Sequence, residues 1–179
     1  SDAGAVHFDK LQASAEKLGV NAYREAAEVV RASDFVVLAV KPYLIEQGVE
    51  PVRDLLADKA VISVAAGRDF AFYEGVLAPN SRHLSTIPNT PIAVGTGVIA
   101  CEQRHSLTDE QLQTFENLFG RIALIEWVDG KLLSTASSIA GCGPAFAATF
   151  LESLGDAGVK HGLPRATAFR LAAQLMMGT

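Results

Sequence analysis

The stretch Phe35-Val36-Val37-Leu38-Ala39-Val40 constrains this chain more than any other. It is apolar without interruption, rich in valine, and bounded by Asp34 and by Lys41-Pro42. It is far shorter than the roughly 18 apolar residues that cross a bilayer. Its length is that of a strand, and it offers no polar face to water. That pattern predicts a strand covered on both faces, as in a parallel sheet. Parallel strands need a crossover between them, usually a helix, and the flanking sequence supplies that alternation. Upstream, residues 9–18 place Leu11, Ala15 and Leu18 on one helical face, and Gly19 stops them. Residues 20–23 read as a short strand, and residues 25–32 as a helix with Val29 and Val30 inward. Downstream, Leu44, Ile45, Gly48, Val49, Val52, Leu55 and Leu56 recur at helical spacing, with Pro51 kinking that helix or restarting it. Residues 60–66, closed by Gly67, read as another buried strand, residues 70–77 as a helix and residues 83–87 as a further strand. This βαβαβ rhythm predicts an α/β domain.

The rhythm continues less regularly. Residues 97–101 predict a strand. Thr108-Asp109-Glu110-Gln111 is a capping box ahead of Leu112, Phe115 and Phe119, with Gly120 after them. Residues 122–128 predict one more strand. From Asp129 the character changes to all-helical. Residues 131–139 are helical, and Ala140-Gly141-Cys142-Gly143-Pro144 reads as a break. Pro144 is placed as the first residue of a new helix, where its missing N–H costs nothing. His161-Gly162-Leu163 breaks that helix and Pro164 opens the next. The domain boundary is expected near residue 128.

Charge and composition exclude several classes. The net charge is −5 and no Lys/Arg cluster stands out, which argues against a nucleic-acid partner. An anionic cofactor remains possible, because backbone N–H groups and one or two lysines hold it locally. Cys101 and Cys142 form no CxxC, and His7, His83, His105 and His161 have no metal-ligand spacing, so no metal site is expected. No leader or membrane span is recognised, and a soluble, cytoplasmic protein is expected.

In open α/β sheets ligands bind beyond the carboxyl ends of the strands. Three such ends carry unusual residues. The first ends in Ala39-Val40-Lys41-Pro42, the second in small residues, Ala65-Ala66-Gly67, and the third in Pro88-Asn89-Thr90-Pro91. Each alone could be an ordinary turn; three on one rim point to a binding crevice. A second candidate is the turn around Cys142-Gly143-Pro144, whose expected helix start would offer free N–H groups to a carboxylate or phosphate. The alternative there is a close-packed helix start. Cys142 has no nearby His to make it a nucleophile.

These segments, in this order, resemble the pyrroline-5-carboxylate reductase family. The resemblance rests on Leu38-Ala39-Val40-Lys41-Pro42, Ile62-Ser63-Val64-Ala65-Ala66-Gly67, Ile87-Pro88-Asn89-Thr90-Pro91 and Ala140-Gly141-Cys142-Gly143-Pro144-Ala145-Phe146. It extends through Asp156-Ala157-Gly158-Val159-Lys160 and Gly162-Leu163-Pro164-Arg165. It implies an α/β fold with a Rossmann-like parallel-sheet domain, residues 1–128, followed by an all-helical dimerisation domain, residues 129–179. It implies reduction of Δ1-pyrroline-5-carboxylate to L-proline, the last step of proline synthesis, with NADPH or alternatively NADH. Ala39, Val40, Lys41, Pro42, Ala65, Ala66, Pro88 and Asn89 would then meet the dinucleotide. Cys142, Gly143 and Pro144 would lie near the substrate, and the chain would pair with itself. The catalytic residue is left open, since an imine is already electrophilic and needs mainly orientation. Departures from the family are clear. Its opening strand and G-x-G-x-x-G turn, and its later Ser-Pro-Gly-Gly-Thr-Thr segment, have no counterpart in this stretch. Ala26 replaces an Asn that meets the cofactor, Gly130 a Glu near the substrate, and Ala140 and Cys142 two Ser. The alternatives are another imine or hydroxy-acid dehydrogenase of the same plan, with Lys131, Lys160 or His161 as catalytic candidates, or an inactive dimerising relic.

Overall fold

The structure, a computed structural model, describes residues 8–179; His7 lies outside the described residues. Five strands form one sheet in chain order: β1 (Phe35–Leu38), β2 (Ala60–Ser63), β3 (Arg82–Pro88), β4 (Gly97–Glu102) and β5 (Ala123–Val128). The helices are α1 (Phe8–Leu18), α2 (Ala26–Arg31), α3 (Ile45–Val49), α4 (Phe70–Val76), α5 (Asp109–Phe119), α6 (Leu133–Lys160) and α7 (Arg165–Gly178). Contacts divide the chain into two units, residues 1–137 and 138–179, with the division falling inside α6.

In the first unit β1, β2 and β3 are mutually parallel, and so are β4 and β5. The β3–β4 pair is antiparallel, with Thr86 opposite Cys101 and Pro88 opposite Ile99, so the sheet is mixed rather than fully parallel. The reason is the connection. Between β3 and β4 the chain makes only a 3-10 turn, Thr90–Val94, ended by Gly95 at φ +74. That is too short for a crossover and suits a reversal. β2 is buried along its whole length. Val61 packs into a core with Val36, Ile45, Val49, Leu56 and Leu77. Ile62 packs into a second core with Leu84, Ile99, Cys101 and Phe115. Alternation along the strand sends successive side chains to opposite faces.

The apolar run at residues 35–40 behaves otherwise. Val36 is buried, but Val37 is 45% exposed. Among the described residues β1 has a strand on one side only; β2 is buried on both faces as expected, and Val37 of β1 is not. Residues 20–23 form no strand. A strand needs a neighbour for its backbone groups, and no described strand pairs with them. The segment from Pro42 to Leu56 is a broken series of turns around α3. Pro51 interrupts it as expected, while Ile45, Val49, Val52 and Leu56 still reach the core. α5 starts with the predicted capping box, Thr108 and Gln111 exchanging bonds of 3.1 and 3.2 Å.

In the second unit the expected break at residues 140–144 is absent: α6 runs unbroken through Pro144. Proline inside a helix removes one hydrogen bond and crowds the backbone behind it. Here long helical stretches on both sides carry that defect, and Gly141 and Gly143 have no Cβ to crowd the ring. No helix start exists there, so the free N–H groups expected at Cys142 and Gly143 are not formed. α6 ends at Lys160, Gly162 in the following turn has φ +95, and Pro164 precedes α7 as predicted. The two helices cross closely because of glycine. A Cβ at Gly155 would stand 2.6 Å from the Phe169 ring, and one at Gly158 would stand 2.9 Å from Ala168. Arg165 pairs with Asp156 at 3.0 Å and lies over Phe169. Among the described residues no helix is long and apolar enough to cross a membrane, and no His/Cys/Asp/Glu group could hold a metal.

Candidate functional site

Because β1 and β2 run parallel, their carboxyl ends open on one rim. There Ala39, Val40, Lys41, Pro42, Leu44, Val64, Ala65 and Ala66 line one groove of about 560 Å³. Six of the eight residues expected at a dinucleotide are thus brought together. Three of them are alanines, so the backbone itself forms much of the wall, and Lys41 brings a cation. Lys41 is held extended by Pro42, and its carbonyl accepts the Leu44 N–H at 2.8 Å. A second cavity of about 630 Å³ shares Val40 and Leu44 with the first and includes Arg24 and Ala26.

The turn after β2 is fastened at several points. The Ser63 hydroxyl accepts the Ala65 N–H at 3.2 Å, and Gly67 takes φ +73. Arg68 donates from Nε and Nη2 to the Pro42 carbonyl, both at 3.4 Å, and lies over the Phe72 ring. Arg68 therefore ties the β2 rim to the β1 rim. The sequence reading missed it; an arginine directly after the turn glycine was the available signal.

Pro88 and Asn89 do not line this groove. The Asn89 side chain accepts the Val98 N–H at 2.8 Å, and its own N–H donates to the Val98 carbonyl at 3.0 Å. Its visible work is closing the turn between β3 and β4. Cys142 is exposed, and Gly143 and Pro144 are half-buried, all three within α6 in the second unit.

Beneath the rim lies a seam of buried polar groups. Ser63 bonds to the Tyr73 hydroxyl, and Thr86 Oγ1 donates to the Ser63 carbonyl at 2.7 Å. Burial pushes the Tyr73 phenol upward. Glu102, 5% exposed, accepts the Phe70 N–H at 2.7 Å, and burial raises its carboxyl as well. His83 stacks on Phe70 and bonds to Glu74 at 2.8 Å; burial lowers its pKa despite Glu74. Among the described residues that line the groove there is no acid–base pair, and small side chains with one lysine suit binding and orientation.

Comparison with known proteins bears on the family and the fold. Residues 130–179 match a family model described as pyrroline-5-carboxylate reductase dimerisation. Residues 3–67 match one described as NADP oxidoreductase, coenzyme F420-dependent. The pyrroline-5-carboxylate reductase of Treponema pallidum is 41% identical over 98% of this chain and 68% of its own length. A solved pyrroline-5-carboxylate reductase from Coxiella burnetii superposes with a TM-score of 0.85, at 31% identity over 95% of this chain and 64% of that one. The Plasmodium falciparum pyrroline carboxylate reductase, solved with NADP bound, gives 0.82 at 30% identity, covering 89% of this chain and 61% of that one. The chain thus spans about two thirds of the length of the relatives it matches. Its sequence and fold place it with them: the chain belongs to the pyrroline-5-carboxylate reductase family.

Proposed function

We propose that the protein carrying this chain reduces Δ1-pyrroline-5-carboxylate to L-proline with NADPH, NADH being the second choice, in a cytoplasmic setting. The observation that carries the proposal is the groove of about 560 Å³ walled by Ala39, Ala65 and Ala66, with Lys41 at its edge. Small side chains let a flat, extended anion approach the backbone, and the lysine offsets its charge. These residues fit a dinucleotide. The chemistry supplied by such a cofactor is hydride donation to the imine carbon. Ala39, Val40, Ala65 and Ala66 would seat the dinucleotide, Lys41 would face a phosphate, and Arg68 would keep the two strand ends at a fixed separation. Rate would come mostly from orientation, since the imine needs little activation.

Residues 1–128 serve in this reading as the nucleotide domain and residues 129–179 as the dimerisation domain, which pairs with a second copy. Pro88 and Asn89 act through the shape of the β3–β4 turn. Cys142, Gly143 and Pro144 stay substrate candidates as a small-residue stretch of a continuous helix. Support comes from the named relatives, one of which was solved with NADP bound.

The test is NADPH affinity of the full-length protein bearing Lys41→Ala. Loss of one charge-assisted contact should weaken binding about tenfold. Unchanged affinity, with unchanged preference over NADH, removes Lys41 from the site. Cys142→Leu probes the other half: KM for pyrroline-5-carboxylate should rise while NADPH affinity is kept. Turnover equal to the parent's would take residue 142 out of the substrate pocket.

A further inference from the structure

We propose that Glu102 is a positioning residue for the nucleotide rim, clamping the start of α4 from across the sheet. Glu102 ends β4, one step past the pair of Thr86 with Cys101. Its carboxylate is almost fully buried and accepts the N–H of Phe70, the first residue of α4, at 2.7 Å. Burying a carboxylate is costly, and a side chain serving only to fill space there would be apolar. The directional bond is what the carboxylate adds.

Two further features show that this position is built. Gly130 leaves room for it: a Cβ at residue 130 would stand 3.0 Å from the Glu102 Cδ and overlap Oε1. The Phe70 ring is held as well, with the Arg104 guanidinium over it at 4.3 Å and the His83 ring stacked on it at 4.4 Å. Asp69 caps the same helix locally, accepting the Phe72 N–H at 3.0 Å. Residues 64–69 are all that separates β2 from α4, and they carry Ala65, Ala66 and Arg68. With one end hydrogen-bonded into the sheet and the other held by Glu102, this short turn has a single place to lie. The inference rests on the reading of the rim as a nucleotide site.

The experiment uses the full-length protein and two readouts: NADPH affinity, and backbone amide exchange at residues 65–70 without nucleotide. Glu102→Leu removes the acceptor; the NADPH Kd should rise about tenfold, with faster exchange at 65–70 and little change in KM for pyrroline-5-carboxylate. Glu102→Gln keeps an oxygen for the same N–H and should lose less. Gly130→Ala displaces the carboxylate without touching α4 or the rim, and should match Glu102→Leu in NADPH affinity and in exchange at 65–70; KM is not read in this variant, because residue 130 stands at a position the family places near the substrate. Should Glu102→Leu not fold, Glu102→Gln and Gly130→Ala carry the comparison. Faster exchange at 65–70 in a protein that never binds NADPH would refute the nucleotide reading and keep the clamp. The proposal is overturned by unchanged exchange in these variants, by exchange accelerated equally across the sheet, or by faster exchange in a protein whose NADPH affinity does not change.

Discussion

In the first unit Ile45, Leu56, Val61 and Leu84 are wholly withdrawn from water, on two faces of one sheet. In the second unit the fully buried apolar residues are small, Ala168 and Ala172, while Phe146 is 72% and Met177 82% exposed. Ile139, Phe150, Leu171 and Leu175 are also exposed. The composition of the two regions is similarly apolar; what differs is the number of surfaces each element can reach. A central strand has two covered faces and one helix has one stripe to bury. A pair of helices crossing through glycines covers only the strip where they touch. Exposed apolar surface of this kind is what association sites generally offer, and residues 130–179 match a family model described as pyrroline-5-carboxylate reductase dimerisation.

The sharpest way to break this contrast is thiol chemistry. Cys101 sits in the first unit's core at 0% exposure, its thiol pushed up to about 12, while Cys142 is exposed on α6. Near neutral pH an alkylating reagent should modify Cys142 about a thousandfold or more faster, because Cys101 must wait for the first unit to open. Comparable rates, read by mass spectrometry, would mean that the first unit's core is not closed.

Truncating one large side chain in each unit is the next test. Leu56→Ala should cost about 3 kcal/mol in chemical denaturation, the range for a fully buried leucine. Phe146→Ala should leave folding nearly unchanged and lower self-association, measured by sedimentation. If Phe146→Ala costs as much as Leu56→Ala in a monomeric sample, the second unit has a core of its own.

Within the second unit, Gly155→Val should cost about 1–3 kcal/mol, since its Cβ collides with the Phe169 ring and overpacking strains a fitted contact. Adding Phe169→Ala should recover part of it. No loss from Gly155→Val would show that the helices do not cross at that point.

The smallest effect concerns pH. His83 is 1% exposed and its folded pKa lies below the ordinary value of about 6.5. Above that value both states are neutral and its contribution is complete. As pH falls through it the unfolded chain takes the proton first, so stability drops until the lowered folded pKa is reached. Stability is therefore expected to fall as pH is lowered from about 7.5 to about 5.5. Glu102 is raised and works in the opposite sense, so the measure is the difference in slope between the parent and His83→Gln. Equal slopes would mean that His83 titrates as an exposed imidazole.

Much of the first unit was legible because its signals are local and repeated. The capping box at Thr108, the strands expected at residues 60–66 and 122–128 and formed at 60–63 and 123–128, the interruption at Pro51 and the alanine-lined rim all follow from the order of residue types. What escaped reading depends on neighbours. Residues 20–23 look extended but have no partner strand among the described residues. Asn89 also closes its own turn, bonding to Val98 nine positions on. Glu102 carried no signal, because the residues that give it meaning, Phe70 and Gly130, are 32 and 28 positions away.

By itself the sequence determined the alternation of helix and strand, the change to an all-helical region and the residues that end the parallel strands, since these follow from periodicity and from glycine and proline. Only the tertiary structure decided the direction of β4, the exposure of Val37 and the passage of α6 through Pro144. The physical reason is the same in each case. Strand direction, burial and helix continuity depend on what packs or bonds alongside, and that partner is supplied by residues distant in the chain.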